Sequence, residues 1–262
     1  MKTIAVTNGK GGVGKTTLAV HIAYALATRY EQRVLLADFD RQWQSTKYFG
    51  CEDTNGAGAF VLSGKRLDDH VTPVSPNLWL LTGSDLTGVA DVALAQGRKG
   101  GNYLRTLFDF YADKFDVLVI DTSAHGYLNE MAIVAADLVA VPTPFRHMDA
   151  DGVTVFASIW SSAPQAAGTH APLVSVVPNM IDNRTSVTGD LRDALSRSVA
   201  DIQAEGWEMA PAIPINTNFS RAFGEARTIF QIARTPAVTA GCIAIMDVVA
   251  HLAGRLNIER TN

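Results

Sequence analysis

The chain has 262 residues, 47% hydrophobic and 18% charged, with 22 basic and 26 acidic side chains and a net charge of −4. That length and apolar share suffice for one large α/β domain or two small ones, each with a substantial core. The charge excludes a polycation that coats nucleic acid over its whole surface, so any such binding must use a local basic patch.

Apolar runs and helical patterns alternate along the chain. Strands are predicted at 3–7, 34–37, 78–81, 117–120, 138–141 and 173–177, with a weaker one near 209–212. Most are short continuous apolar runs, as expected of strands buried on both faces. Helices are predicted from 16 to about 30, and at 86–96, 103–111, 127–135, 152–161, 187–205 and 236–256. The expected fold class is α/β: a mostly parallel, doubly wound sheet with helices on both faces. There is no internal repeat and no long linker, so a single domain over 1–262 is expected. Residues 50–77 carry Gly56, Gly58, Gly64, Pro73 and Pro76 and read as a surface excursion. In the last helix Val238, Cys242, Ile245, Val249, Leu252 and Leu256 form one stripe, while Asp247, His251 and Arg255 mark another face. That stripe reads as a helix docked on the sheet, since a membrane-surface helix is richer in Lys and Arg. Cys51 and Cys242 fit no metal spacing and read as reduced thiols. The N-terminus enters a strand at once, and no apolar run of bilayer length lacks a charge. A cytoplasmic, soluble protein is expected.

The first strand runs into Gly9-Lys10-Gly11-Gly12-Val13-Gly14-Lys15-Thr16-Thr17, and a helical pattern follows. Strand, glycine-rich loop and helix are the context that makes G-x-x-x-x-G-K-[ST] a phosphate site. Glycines let the backbone N–H groups turn inward, and the helix presents its positive end. Lys15 is expected on the β/γ-phosphates and the Thr16 hydroxyl on Mg²⁺. The second strand ends in Asp38-Phe39-Asp40 and the fourth in Asp121. Ligands of a doubly wound sheet sit beyond the carboxyl ends of its strands, so all three carboxylates should lie near the loop. Asp121, after four apolar residues, suits holding Mg²⁺ through water. Asp38 or Asp40 is then available to position an attacking water.

The segment Lys10 to Thr17 resembles the deviant Walker A box of the ParA/MinD ATPases, which carries a second lysine early in the loop, here Lys10. Asp38-Phe39-Asp40-Arg41-Gln42 resembles the family's D-x-D-P-Q segment. Asn179 to Thr185 is similar to its N-x-x-D-x-R-T segment, and Ile213-Pro214-Ile215-Asn216 to the segment that closes over the base. The resemblance implies the P-loop NTPase fold, with ATP and Mg²⁺ as cofactors and ATP hydrolysis to ADP and phosphate. It implies that Gly11, Gly12, Val13, Gly14, Lys15, Thr16 and Thr17 cradle the phosphates. Lys10 would reach the nucleotide of a partner subunit, so that ATP is sandwiched in a homodimer, and Asp40 would orient the water. Thr16, Asp38 and Asp121 would lie at Mg²⁺, Asn179 would bond adenine and Pro214 would pack on it. Two departures stand out: Arg41 and Trp43 replace a proline and a small residue, and Thr122-Ser123-Ala124 replaces an x-Pro-Pro after Asp121.

The ParA branch binds DNA non-specifically, and the MinD branch binds membrane through a basic amphipathic tail. The end Leu256 to Asn262 lacks such a tail, and no helix-turn-helix precedes the first strand. The chain resembles the small ParA-type proteins, with no stable membrane association expected. After Lys114 every strong base is arginine. Arg184, Arg192, Arg197, Arg221 and Arg227 read equally as a DNA-phosphate patch or as solvated faces paired with acids such as Glu225. The reading is a dimerising ATPase, associated with the nucleoid when ATP is bound, that segregates or positions plasmid or chromosomal DNA and is stimulated by a small partner protein. Alternatives are a protein cargo such as a carboxysome or chemotaxis cluster, a MinD-like membrane ATPase, or a P-loop synthetase or kinase using Ser123 and His125.

Overall fold

A computed structural model describes residues 1–52, 56–64, 66–97, 99–144, 150–182 and 206–260, with backbone only over 150–156. The helix expected at 187–205 lies outside these residues. The strands are β1 (Lys2–Val6), β2 (Val34–Phe39), β3 (Val71–Ser75), β4 (Leu78–Leu81), β5 (Val117–Thr122), β6 (Leu138–Pro144), β7 (Leu173–Asn179) and β8 (Trp207–Met209). They form one sheet in the order β3-β4-β2-β5-β1-β6-β7-β8. Every pairing is parallel except β3 with β4, which are antiparallel.

Strand periodicity divides the core in two. On β2, Leu35, Ala37 and Phe39 face one layer and Val34 and Leu36 the other; on β5, Leu118 and Ile120 oppose Val117 and Val119. With both faces covered, these strands need no polar alternation, which is why they read as continuous apolar runs. The first layer contains α3 (Gly56–Ser63), α4 (Asp85–Gln96), α5 (Tyr103–Asp109), α6 (Tyr127–Ala135) and α7 (Ala150–Ala167). The second contains α1 (Lys15–Arg29) and, at the far end of the chain, α9 (Pro236–Leu256). Two short helices, α2 (Gln44–Tyr48) and α8 (Asn218–Gly224), flank the carboxyl edge of the sheet.

Two of the long helices start at capped positions. Ser84 and Thr87 form a capping box on α4. Thr235 accepts from Val238 N at the start of α9, with Pro236 at the first helical position. The stripe of α9 is buried throughout, from 0% exposure at Val238 and Val249 to 5% at Cys242. By length and composition α9 could also cross a membrane, but half of it is buried inside the protein. Its polar face is only partly solvated. Asp247 is exposed, while His251 Nε2 meets Ser175 Oγ at 3.0 Å and Arg255 donates to the Val174 and Gly206 carbonyls.

The stretch 50–77 departs from expectation. It forms α3 and the edge strand β3, and Phe60, Val61 and Leu67 are fully buried. Its glycines are what allow it inside: a Cβ on Gly58 would lie 2.6 Å from the Leu86 carbonyl carbon. The weak last strand ends at Met209 instead of beginning there, and α7 runs on to Ala167 through Pro164.

Candidate functional site

The loop between β1 and α1 is shaped by two glycines with left-handed backbone, Gly12 at φ +73° and Gly14 at φ +93°. A Cβ on Gly14 would also lie 2.4 Å from Asn179 Nδ2, so that position needs glycine for space as well as for conformation. No side chain caps the start of α1, which leaves its first N–H groups directed into the loop. Asn8 ties the loop down: its Nδ2 donates to the Pro142 carbonyl at the end of β6 (2.9 Å), and its Oδ1 accepts from Lys10 N (3.0 Å). Lys15 Nζ donates to the Lys10 carbonyl at 2.8 Å. Burial lowers the Lys15 pKa, while the charges of Asp121 and Asp40 oppose that shift.

Parallel pairing of β2 with β5 sets Asp38 opposite Asp121. Both are fully buried. Asp38 Oδ2 accepts from Thr46 N and Thr46 Oγ1, both at 2.8 Å, and Oδ1 accepts from Asp40 N at 3.1 Å. Burial raises its pKa to about 7 against those hydrogen bonds. Asp121 Oδ2 accepts from Ser45 Oγ at 2.8 Å, while Oδ1, equally buried, has no hydrogen-bond partner among the described residues. Burial, then the charge of Asp38, pushes the Asp121 pKa well up, and hydrogen bonds from Ser45 and Thr16 pull it back. An orphaned carboxylate oxygen beside a threonine hydroxyl suits a hard divalent cation that keeps most of its waters, although among the described residues no group of three or more acids, histidines or cysteines is placed to hold a metal by itself. Asp38, with both oxygens taken by α2 and its own loop, is the less available of the two. Asp40 is half-buried and lines the cleft.

The opposite wall begins at Asn179, the last residue of β7. Its Nδ2 donates to the Val13 carbonyl (2.8 Å) and its Oδ1 accepts from Met180 N (2.9 Å), leaving one donor hydrogen and one lone pair of the amide. Ile181 pairs with Pro214 as an isolated parallel bridge. Ile213 and Ile215 line the cleft, and Pro214 between them does not. Phe219, Phe223 and Tyr48 extend this wall, enclosing a cleft of about 870 Å³ with the phosphate loop. Behind them is His21, fully buried: Nδ1 donates to the Thr17 carbonyl (2.6 Å) and Nε2 accepts from Ile229 N (2.9 Å). Tyr48 and Phe219 meet its ring edge-on at 5.6 and 5.2 Å. Burial lowers its pKa to about 4.

Of the sequence-read residues, Gly11, Gly12, Gly14, Lys15, Thr16, Thr17, Asp40 and Asn179 line this cleft, with Val13, Asp38 and Asp121 buried beside it. Lys10, next to the lining residue Gly11, is half-buried. Arg184, Arg192 and Arg197 lie outside the described residues. Arg221 and Arg227 are exposed and share Glu225, at 2.9 and 3.9 Å. Sequence reading missed Asn8, Ser45, Thr46, Asp91, His21 and the aromatic wall. Only Ser45-Thr46 carries a local signal, two hydroxyls on a short helix just after D-x-D.

A family model described as an AAA domain matches residues 1–166. A ParA family protein of Chlamydia pneumoniae is 36% identical over 143 residues, 52% of this chain and 56% of that protein. The chain thus spans little more than half of that relative. The chromosome-partitioning ATPase Soj of Thermus thermophilus is 29% identical over 239 residues, 90% of each chain. Among solved structures, the McdA–ATP complex of Cyanothece superposes with a TM-score of 0.85 over 100% of this chain and 98% of that one, at 18% identity, which shows the shared fold. Cobyrinic acid a,c-diamide synthase of Mycobacterium smegmatis, with an ATP analogue and magnesium, gives 0.78 at 25% identity over 100% of this chain and 98% of that one. With its phosphate loop, paired aspartates and doubly wound sheet, the chain belongs to the AAA domain family and is similar to ParA-type P-loop proteins.

Proposed function

We propose that this protein binds and slowly hydrolyses ATP with Mg²⁺, dimerises in its ATP form, and uses that cycle to segregate or position DNA. The observation that carries the reading is the pairing of two lysines in one loop. Lys15 is buried and turned inward onto the Lys10 carbonyl, while the Lys10 side chain is half-buried beside the lining residue Gly11. A lysine there suits contact with the nucleotide of a second copy, which makes association depend on the γ-phosphate. Thr16 and Asp121 would hold Mg²⁺, with Asp38 bracing α2 behind them; an ion there would supply positive charge against the phosphates. Asp40 orients water, Lys15 and the loop N–H groups bind the phosphates, and the remaining donor and acceptor of Asn179 meet the base between Ile213 and Ile215. The protein works in the cytoplasm, on the nucleoid when ATP is bound, and a small partner protein stimulates turnover.

DNA contact through Arg221 and Arg227 requires them to release Glu225, an exposed pair of low cost. Retention on non-specific DNA, measured with ATP, ADP and no nucleotide across a salt series, should be ATP-selective and fall steeply with salt. Replacing Lys10 with Ala should leave ATP binding nearly intact and abolish the ATP-dependent dimer in size-exclusion chromatography. An unaffected dimer sinks the mechanism. The diamide-synthase neighbour keeps a synthetase in view. A small acceptor that stimulates ATP use stoichiometrically, with DNA inert, would establish that reading instead.

A further inference from the structure

The position after Asp40 breaks the family pattern, and the structure gives Arg41 a specific partner. Arg41 leaves the cleft rim and lays its aliphatic stem over Gly88 of α4, where a Cβ would lie 3.7 Å from Arg41 Cγ and 3.8 Å from Cδ. Its Nη2 reaches Asp91 Oδ2, one turn further along the same helix, at 2.5 Å. The Arg41 side chain is 51% exposed, but that of Asp91 is 7% exposed. The other oxygen of Asp91 turns to a different element: Oδ1 accepts from Leu128 N at 2.6 Å, in the first turn of α6. A carboxylate there also complements the positive end of that helix. Gly126 presses against the same group. Its φ is +125°, and a Cβ on it would lie 2.5 Å from Asp91 Oδ2.

Gly126 ends the loop Ser123–Gly126, all of which lines the cleft and which departs from the family's x-Pro-Pro. The Asp40 loop and this loop leave the carboxyl ends of the adjacent strands β2 and β5. One buried carboxylate therefore touches both cleft loops, through a guanidinium on one side and a helix N-terminus on the other. Neither loop can shift far without unpairing Asp91, and a buried unpaired charge is costly.

We propose that Asp91 is a positioning residue: through Arg41 and the start of α6 it couples the Asp40 loop to the Ser123–Gly126 loop, so that the two move as one unit over the cleft. Its link to catalysis rests on the ATPase reading above; the coupling itself does not. Arg41→Gln removes the charge and Asp91→Asn keeps an acceptor for Leu128 N, so both variants are expected to fold. Each should lower kcat for ATP about tenfold while KM changes less than about twofold. The double variant should be no worse than either single one, and Arg41→Lys should recover part of the rate. Hydrogen exchange supplies a readout independent of turnover. Among the described residues no hydrogen bond joins Arg41 to the amides of residues 123–128, yet Arg41→Gln should speed their exchange. Unchanged exchange there, or additive kcat losses, overturns the coupling. A wild-type protein without turnover overturns the ATPase reading and leaves exchange to decide the coupling.

Discussion

The two walls of the cleft are built by different means. The phosphate wall is one local segment, residues 9–17, held by backbone geometry and by polar groups from the ends of β1, β5 and β6. The opposite wall is gathered from residues 48, 179–181 and 213–223, and most of its surface is apolar or aromatic. A phosphate is recognised by N–H groups and charge, which a glycine-rich turn supplies by itself. A planar apolar ligand face needs side chains from several elements, and only the packed fold brings those together. The first wall is therefore set by conformation and the second by packing, and they should fail in different ways.

The largest effect expected is on the packed wall. Tyr48 is 2% exposed, meets His21 and Phe223 edge-on, and its hydroxyl donates to the Phe219 carbonyl at 3.3 Å. Tyr48→Ala should cost about 3–5 kcal/mol in urea unfolding. A loss below about 1 kcal/mol would mean that the wall is not a packed unit.

His21 comes next and makes the same wall sensitive to pH. Its folded pKa of about 4 is below its ordinary value of 6.5, so the unfolded chain binds the extra proton first. Its contribution is complete above pH 6.5, falls as pH drops from 6.5 towards 4, and is lost below 4. The total is about 3 kcal/mol. His21→Gln should flatten the stability–pH curve in that window, and equal slopes in the two proteins would remove His21 as the cause.

Gly14, at the seam of the two walls, gives the third test. Gly14→Ala strains a residue at φ +93° and drives a methyl group into Asn179. ATP affinity in titration calorimetry should fall about 100-fold, with stability lowered by about 1–3 kcal/mol. Affinity within a factor of a few of wild type would show that the Gly14–Asn179 contact is not part of the binding surface.

Much of this was legible from residue order. Strands buried on both faces announce themselves as apolar runs such as Val34 to Ala37 and Val117 to Ile120. A glycine-rich turn between strand and helix marks a phosphate loop, and a carboxylate ending an apolar strand marks the same edge of the sheet. These signals are local because the physics behind them is local: backbone sterics and strand burial act over a few residues. The stretch 50–77 misled for the opposite reason. Its glycines and prolines carry loop chemistry, yet Gly56 and Gly58 are small so that α3 can press against the Thr82 and Leu86 backbone.

What the tertiary structure alone decided are the partnerships across long separations. Ser45 bonds Asp121 across 76 residues, Arg41 meets Asp91 across 50, and His21 accepts from Ile229 across 208. No periodicity encodes such pairs, because a side-chain hydrogen bond needs two groups within about 3 Å of each other and the chain brings them there only after the sheet has formed. The residue types at the phosphate loop determined that a phosphate can be held. The tertiary structure decided which of the two buried acids keeps an oxygen without a hydrogen-bond partner among the described residues: Asp121, since Asp38 is consumed by Thr46 and the Asp40 amide.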